Sequence, residues 1–534
     1  MNRGFALLAV GFAFGLALSG CNQGGFSEKT NDKKVNVFRY PIVTSPTSLD
    51  PAMVQDGDTI DAIQQVFEGL VGFSPDNKVV PILAEKWEVQ DNGTSYVFSL
   101  KKDLKFSSGR EVKAADFKKC FERACDPGFN SPTAATYLSD IVGVKERLAG
   151  KADEVKGYEV VDDYTIKIKI DKPRPYFLGK LTYPVTFVYD LEKLPDAKKE
   201  MATVDQMVGT GPYTFEQFVP EQILKLKANT AYHGGAPKVD GIERPVAKDA
   251  ATRLQLFKNK EVDLVQLERQ DIKAIEEDAE LKGMLKFFNR PSVWYIGLNV
   301  DMYEPLKKRE MRQAIARAID TDNIVKNVLG GVNEKANGIV PPGVFGHREN
   351  PKLLTYDPKA ARDLMAKAGY PEGKGLPEFT ITFREARPDI QLVAAQVASD
   401  LKKNLNMNVK LQTMEWRSYL EKHNKSAIPF LHMRWAADYL DAENFLSTLL
   451  ASYGPENKLN YKNPAYDALT AKADVSLDEA ERQKLYGEAE DLVLDDAPFI
   501  PIYFQRDAEL IRPRVEGLRE SVFGHLPHTT VTLK

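Results

Sequence analysis

The side chains that most often perform catalysis or bind metals occur in this chain without the spacing that such chemistry requires. None of the six histidines belongs to a His-Glu-x-x-His helix, and the sequence contains no Gly-x-Ser-x-Gly elbow, phosphate loop or dinucleotide fingerprint. His525 and His528 flank Pro527 and could clasp a metal ion, but without nearby cysteines this pattern favours a surface turn. The sequence therefore predicts a binding protein without a cofactor or a metal site, rather than an enzyme.

The first 21 residues indicate export from the cytoplasm. Arg3 precedes an apolar run from Phe5 to Leu18, which is shorter than the ~20 residues that a membrane-spanning helix needs. The run ends in Leu-Ser-Gly-Cys, which resembles a bacterial lipobox and implies cleavage before Cys21 and a lipid on its thiol. The alternative is an ordinary signal peptide with an accidental cysteine.

We expect a chain anchored outside the cytoplasm, on the periplasmic side in a Gram-negative host. Residues 1–20 would be a lipoprotein signal peptide, and residues 21–34 a lipidated tether, because the residues after Cys21 are polar and flexible. The lipid on Cys21 would hold the protein to a membrane that the chain does not cross.

Length and composition predict several soluble domains. A chain of 534 residues exceeds a single hydrophobic core and suggests about three domains. With 43% hydrophobic and 28% charged residues, the composition is that of a globular protein. Removal of Arg3 with the signal peptide changes the net charge from −4 to −5, which argues against a nucleic-acid partner.

Cys120 and Cys125 are the remaining thiols, and export would permit a disulfide between them. Their surroundings, from Asp116 to Cys125, have a helical pattern. Five helical residues rise ~7.5 Å, which separates the two Cα atoms too far unless the helix ends between them. Since Pro127 ends the helix just afterwards, the sequence leaves the disulfide open.

Local patterns predict both strands and helices. Alternating residues predict strands at 94–100 and 164–170, and an apolar stripe predicts a helix over 310–319. Asp357 and Pro358 are expected to begin a helix, and Ser476 to Glu479 to form a capping box for a helix running towards Leu494.

One stretch indicates the fold class. Residues 378–384 have a strand pattern, 389–405 a helical pattern and 408–414 another strand pattern. A strand, a helix and a strand within about 40 residues form a βαβ unit with parallel strands. The sequence therefore predicts an α/β protein.

Several blocks in order along the chain resemble bacterial extracellular solute-binding proteins of family 5. The blocks are residues 82–98, 105–117, 209–213, 232–240, 312–320 and 341–343. The resemblance implies a pear-shaped, three-domain fold of the class II periplasmic-binding-protein type, with two hinged lobes plus an extra domain. Domain I would be discontinuous (35–60, 206–288 and 506–534), domain II would cover 61–205, and domain III 289–505.

Residues 435–441 and 444–446 are similar to a segment of the peptide-binding members. The family aspartate at the Asp438 position receives the α-ammonium of the peptide. A carboxylate suits that role, because an ammonium leaves water for a closed cleft only if it meets acceptors there. The alternative for Asp438 is a helix N-cap or a solvated turn.

Aromatic residues are expected to surround this pair. Trp435 and Tyr439 would exclude water, Trp416 matches a family tryptophan that would line a side-chain pocket, and Tyr503 matches a family tyrosine near the cleft. The alternative for Trp416, Trp435 and Tyr503 is a position in the hydrophobic core.

The carboxylate end of the ligand calls for a cation. Arg384 and Arg387 follow the first strand of the βαβ unit, at the edge where open α/β sheets bind ligands. His432 occupies a position where some oligopeptide binders have arginine, and Arg434 is nearby. A surface or structural role is the alternative for all four.

The resemblance implies a monomer that captures short peptides in a cleft between the lobes and delivers them to an ABC permease. Other members of the family bind nickel chelates, haem or oligosaccharides, and these ligands remain alternatives. So do an exported peptidase and a receptor or chaperone subunit that uses the same cleft.

Overall fold

The computed structural model describes residues 36–385 and 387–534. Cys21, the expected signal peptide and the expected tether lie outside the described residues. Among the residues that are described, no helix has the length and apolar character needed to span a membrane.

Strands and helices alternate along the chain. The strands are β1 Val37–Arg39, β2 Val71–Phe73, β3 Val79–Pro81, β4 Ala84–Gln90, β5 Ser95–Leu100, β6 Tyr158–Asp162, β7 Thr165–Lys169, β8 Tyr213–Val219, β9 Ile223–Ala228, β10 Gly241–Pro245, β11 Leu264–Gln266, β12 Leu285–Leu298, β13 Glu334–Lys335, β14 Phe379–Arg384, β15 Val409–Met414, β16 Phe430–Ala436, β17 Phe499–Ile511, β18 Val515–Glu516, β19 Glu520–Ser521, β20 Gly524–His525 and β21 Thr532–Leu533. The helices are α1 Gly57–Ile63, α2 Ala114–Ala124, α3 Ala134–Leu138, α4 Val144–Leu148, α5 Phe177–Lys180, α6 Ala250–Lys258, α7 Arg269–Glu277, α8 Arg309–Ala318, α9 Thr321–Asn323, α10 Pro358–Lys367, α11 Pro388–Leu405, α12 Trp416–Asn424, α13 Ser447–Leu450, α14 Pro464–Ala473 and α15 Glu479–Asp496.

Three larger sheets organise the described part of the chain. One has the order β1-β10-β9-β8, and another β4-β5-β7-β6. The largest has the order β11-β17-β12-β16-β14-β15, with β13 also paired to β17. Shorter two-stranded sheets pair β2 with β3, β18 with β21 and β19 with β20.

The predicted βαβ unit is confirmed. β14 and β15 are parallel, from Phe379 opposite Val409 to Arg384 opposite Met414, and α11 connects them. The side chain of Arg384 therefore starts from the carboxyl end of a parallel strand. The expected α/β class is confirmed with it.

Most predicted local elements are also confirmed, and their physical causes are visible. β5 and β7 pair side by side, α8 places Met311 and Ile315 in the core, and Asp357 caps α10 by accepting the backbone N–H groups of Lys359 and Ala360. One detail is wrong.

The expected capping box at Ser476 does not form the start of α15. Asp478 is the N-cap instead, and accepts the N–H groups of Ala480 and Glu481. The Ser476 hydroxyl accepts the Asp478 N–H at 3.2 Å and donates to Glu481 at 2.7 Å. A carboxylate two residues nearer the helix offers the better acceptor for the first turn.

The two longest strands, β12 and β17, pair with each other in two separate segments. The first half of β12 pairs with the end of β17 up to Asn289 opposite Arg506, and the pairing resumes at Val293 opposite Phe504. Two extra residues of β12 therefore form a bulge. This interruption coincides with the predicted borders of domains I and III, although the domain division itself stays a prediction.

The buried apolar residues fall into separate cores. The first, here the N-terminal core, joins residues between 38 and 242 with Leu264 and Val531. Two others lie on the faces of the large sheet and contain residues between 293 and 504, here the C-terminal cores. A smaller one joins α6 and α7 to the end of β17.

The two cysteines within the described range are free and buried. Cys120 lies within the regular helix α2, and Cys125 is the residue just beyond its end. The Cys120 thiol donates to the carbonyl of Tyr189 at 3.5 Å. The question left open by the sequence is thus answered in favour of two thiols.

Candidate functional site

Asp438 lies just beyond the end of β16, in a turn that Asn444 holds in place. The Asn444 side-chain oxygen accepts the Asp438 backbone N–H at 3.0 Å, and its Nδ2 lies 3.5 Å from Asp438 Oδ2. Asp438 does not cap a helix, because Asp441 caps the short turn at 442–444. The carboxylate is half-buried.

The environment of Asp438 favours a cationic guest. Burial raises the pKa of Asp438 to about 6, and hydrogen bonding with Tyr137 and Asn444 opposes this only in part. Glu456 and Glu443 raise it further. A carboxylate in such surroundings gains stability from a positive group placed beside it.

Both predicted aromatic neighbours of Asp438 lie beside it in the structure. Trp435 is half-buried, and its indole N–H donates to Asn444 at 3.1 Å. Tyr439 is 3% exposed, stacks on Tyr176 with ring centroids 5.6 Å apart, and donates its hydroxyl to Glu443. One amide side chain therefore fixes both Asp438 and the ring of Trp435.

The predicted arginines form a second, basic group. Burial lowers the pKa of Arg384 to about 10, and the charges of Arg387 and Arg434 add to this, so the three guanidinium groups lie close enough to repel one another. Burial, together with the charge of Arg387, lowers the pKa of Arg434, while Asp507 opposes this change. Arg434 is nevertheless exposed to solvent, and it donates to Gln505 at 3.1 Å.

Carboxylates from another part of the chain face this basic group. Asp56 caps α1, and burial, followed by the charge of Asp58, raises its pKa while Arg384 opposes the rise. Burial alone would lower the pKa of Arg387, but Glu268 and Asp58 reverse this. The start of α1 therefore lies near the arginines.

Tyr503 and His432 lie deeper than predicted for ligand contacts. Tyr503, Trp294 and Arg434 stand directly opposite one another on three adjacent strands, so they share one face of the sheet. The Tyr503 and Trp294 rings stack with centroids 5.8 Å apart, and Tyr503 is 0% exposed.

His432 lies on the same face and is 1% exposed, and burial lowers its pKa to about 4. Within the described residues, the hydroxyl of Tyr503 and both ring nitrogens of His432 have no hydrogen-bond partner. Tyr503 and His432 are thus neutral, buried groups on the sheet face that also carries Arg434.

Trp416 is placed beside the basic group rather than beside Asp438. The Arg384 guanidinium lies 4.4 Å above its ring, and the ring stacks on Tyr419 with centroids 5.8 Å apart. Glu415 caps α12 and so fixes the backbone of Trp416. The tryptophan orients Arg384 through a cation–π contact.

The structure adds residues that the sequence did not single out. Tyr137 and Tyr183 approach Asp438, and Asp56 and Asp58 approach the arginines. The tyrosines lie some 250 or more positions away in sequence, and no local pattern marks them. Asn444 was within the matched segment but had no assigned role.

The C-terminal histidines are not in a surface turn, so that prediction is wrong. His528 is 1% exposed, and its Nε2 lies 2.9 Å from the hydroxyl of Tyr40. His525 Nε2 lies 3.0 Å from Glu509, and its Nδ1 lies 3.5 Å from Glu520. The C-terminal segment packs onto the N-terminal part of the chain, which buries both rings.

His525, Glu509 and Glu520 could offer three ligand atoms to a metal ion, but their arrangement fits an imidazolium better. Opposite ring nitrogens face the two carboxylates, whereas one ion can take only one of these nitrogens. Arg290 also lies 3.8 Å from Glu509. Burial alone would lower the pKa of His525, but Glu509, then Asp61 and Glu520, raise it.

Comparison with known proteins identifies the family. The sequence profile of "Bacterial extracellular solute-binding proteins, family 5 Middle" matches residues 78–457. The probable deoxycholate-binding periplasmic protein YgiS of Escherichia coli is 31% identical over 491 residues, which cover 90% of each chain. The dipeptide-binding protein DppE of Bacillus subtilis is 28% identical over 98% of each chain, and heme-binding protein A of Haemophilus influenzae 29% over 96%.

Solved structures agree with this assignment. The murein tripeptide-binding protein MppA of Escherichia coli superposes with a TM-score of 0.85 at 26% identity, over 94% of this chain and 99% of that one. Its unliganded open form gives a TM-score of 0.72, over 94% and 98%. The expected class II binding-protein fold, with two hinged lobes and an extra domain, is thereby confirmed. The chain belongs to the bacterial extracellular solute-binding proteins of family 5, the non-enzymatic receptors of ABC importers.

Proposed function

We propose that this protein captures short peptides with free termini in the cleft between its lobes and delivers them to an ABC permease. The observation that carries this proposal is the presence of two oppositely charged groups whose members Arg434 and Asp438 are four residues apart. Asp438, with its raised pKa, provides the acidic one, and Arg384, Arg387 and Arg434 the basic one.

The spacing of the two groups suits a small zwitterion. Arg434 and Asp438 are four residues apart, so their Cα atoms are separated by at most about 14 Å. A fully extended tripeptide spans about 10 Å. The α-ammonium would pair with Asp438 and fix the register, and the carboxylate would pair with the arginines. The peptide backbone would hydrogen-bond to cleft strands, which gives affinity without reading the side chains.

Attachment and partners belong to the same proposal. Cleavage before Cys21 and a lipid on its thiol would anchor a monomer to the membrane, and closure around the peptide would create the form that the permease accepts. No cofactor is required.

Relatives with other printed ligands define the alternatives. YgiS is described as a probable deoxycholate-binding protein and protein A of Haemophilus influenzae as heme-binding, so a non-peptide ligand is the rival within the family. A nickel chelate or an oligosaccharide is the further alternative that the family offers. An exported peptidase is the rival outside it.

Mass spectrometry of the ligand that co-purifies with the protein decides between these functions. Peptides of two to four residues are expected, and a bile acid, a haem or a sugar in their place would refute the proposal. Calorimetry with trialanine and N-acetyl-trialanine provides the second measurement. The free peptide should bind and the acetylated one should bind far more weakly, because acetylation removes the charge that Asp438 would meet. Peptide recovered intact after overnight incubation separates a receptor from a peptidase.

A further inference from the structure

A close contact joins the N-terminal core to the segment that follows Asp438. Tyr176, Gly179 and Lys180, at and just before α5, lie against Tyr439 and Glu443, and we call this contact the closing face. The Tyr176 and Tyr439 rings are nearly parallel, at 10°, and are 5% and 3% exposed. Neither ring belongs to a hydrophobic core of its own lobe.

Gly179 is the point of closest approach in the closing face. A Cβ atom built on Gly179 would lie 2.7 Å from the Cβ of Tyr439, and the three heavy atoms nearest to it all belong to Tyr439. Its backbone has no positive φ, so a side chain there is opposed by the facing segment and not by the backbone conformation. Gly179 therefore permits the approach of two separate parts of the molecule.

Lys180 gives the closing face its charge complementarity. Its Nζ donates to Asp140 at 2.7 Å and lies 5.9 Å from the centre of the Tyr439 ring. Burial alone would lower the pKa of Lys180, but Asp140 and then Glu443 raise it. Since Asp140 precedes α5 in the N-terminal part and Glu443 follows Tyr439, the lysine pairs with a carboxylate on its own side and its charge is favoured by one on the other side.

The closing face adjoins the surroundings of Asp438, here called the amino-end pocket because the α-ammonium of the peptide would pair there. Asp438 precedes Tyr439 directly, and Tyr137 and Tyr183, from the same side as α5, approach the Asp438 carboxylate. Tyr137 and Tyr183 stack with centroids 3.7 Å apart. The part of the chain that contacts Tyr439 thus also supplies a wall of the pocket.

We propose that the predicted domain II provides, at Tyr176, Gly179 and Lys180, the surface onto which the segment 438–443 docks when the lobes close. Docking brings Tyr137 to Asp438 and so couples occupation of the amino-end pocket to closure. This role rests on the proposed function for its ligand, whereas the contact itself does not. The extra domain then takes part in closure, and Gly179 is a positioning residue for the closed state.

The first test is a Gly179→Ala variant measured by calorimetry with trialanine. The atoms nearest to the added methyl group all belong to Tyr439, so the ligand-free protein should keep its melting temperature while affinity falls ~10-fold or more. The loss should appear mainly as faster dissociation, because the overlap exists only in the closed state. Gly283→Ala is the matched control, since its Cβ would meet nothing within 4 Å. Unchanged affinity in Gly179→Ala would overturn the proposal.

The second test needs no ligand. Cysteines at positions 179 and 439 should form a disulfide when the purified protein is treated with diamide. A disulfide holds its Cβ atoms ~3.5–4.5 Å apart, so the two segments need to separate by only about 1 Å from the 2.7 Å of the closed state for the bond to form. Peptide mass spectrometry identifies the pair, and trialanine should speed its formation. The single Gly179→Cys variant is the control. Absence of the cross-link with and without peptide would also overturn the proposal.

The two tests separate this inference from the proposed function. If the wild-type protein does not bind trialanine but the cross-link forms, the closing face stands and the peptide assignment fails. If the wild type binds trialanine while Gly179→Ala binds equally well and no cross-link forms, the peptide assignment stands and the role of the closing face fails.

Discussion

Replacing Asp438 by asparagine tests the amino-end pocket with almost no change in shape. A unit charge pair at ~4 Å is worth ~4 kcal/mol at an effective dielectric constant of ~20, and truncating one partner of a buried pair costs ~2–5 kcal/mol. We therefore expect the affinity for trialanine at pH 7.5 to fall roughly 30-fold to several-thousand-fold. Asp301→Asn, which changes an exposed carboxylate, should leave the affinity unchanged.

The same variant should make the ligand-free protein more stable. The pKa of Asp438 is raised from 3.8 to about 6, and each pKa unit corresponds to ~1.4 kcal/mol, so the buried charge costs up to about 3 kcal/mol above pH 6. Because the folded state holds the proton more tightly, the wild-type free energy of unfolding falls as the pH rises from about 4 to about 6. Asp438→Asn lacks this loss, so its melting temperature at pH 7.5 should exceed that of the wild type.

Calorimetry and thermal unfolding measured on the same samples check both parts. Binding near pH 6 should also release a proton, which makes the observed enthalpy depend on the ionisation enthalpy of the buffer. Weakened binding together with raised stability is the expected signature. Asp438→Asn that binds trialanine within twofold of the wild type, or that is less stable than the wild type, would refute the reasoning.

Three further outcomes are expected. Arg384→Gln should weaken trialanine binding about tenfold or more but leave the weaker binding of trialanine amide nearly unchanged, because only the free carboxylate meets the guanidinium; calorimetry with both peptides checks this, and equal losses would contradict it. His525→Gln should lower the melting temperature more at pH 6 than at pH 9, since a raised histidine pKa adds stability below its unfolded value and loses it as the pH rises through the folded value; similar losses at both pH values would contradict the ion pair with Glu509. Cys120 and Cys125 should react with a thiol reagent only after unfolding, because burial raises the pKa of both thiols to about 12, and rapid labelling of the native protein would show that they are accessible.

Much of the fold could be predicted because its signals are local. The βαβ unit of β14, α11 and β15 follows from apolar periodicity, and α10 from Asp357 and Pro358 at its start. The start of α15 could not be fixed in this way, since Ser476 and Asp478 both offer a capping oxygen and only the folded backbone selects one.

The resemblance supplied some residues of the candidate site from the sequence. Residues that only long-range packing brings near Asp438 were missed. Asp438 and Trp435 lie together because they share one segment, which Asn444 holds. Tyr137 approaches Asp438 only through the packing of α5 against Tyr439, about 260 positions further along, and no periodicity encodes such a contact. The burial of His525 was missed for the same reason, because it depends on the packing of the C-terminal segment onto the N-terminal part of the chain.

The interrupted pairing of β12 and β17 lies at the predicted border between domains I and III, where the two lobes would hinge. Between Asn289 and Val293 these strands already lack regular ladder bonds to each other, so bending at that level sacrifices little backbone hydrogen bonding. The energy that separates the open from the shut state then resides in the surfaces that meet and in the guest, rather than in the connection itself. A hinge of this kind could be adapted to different ligands by changes in contacts far from it, while the two strands at the hinge stay the same.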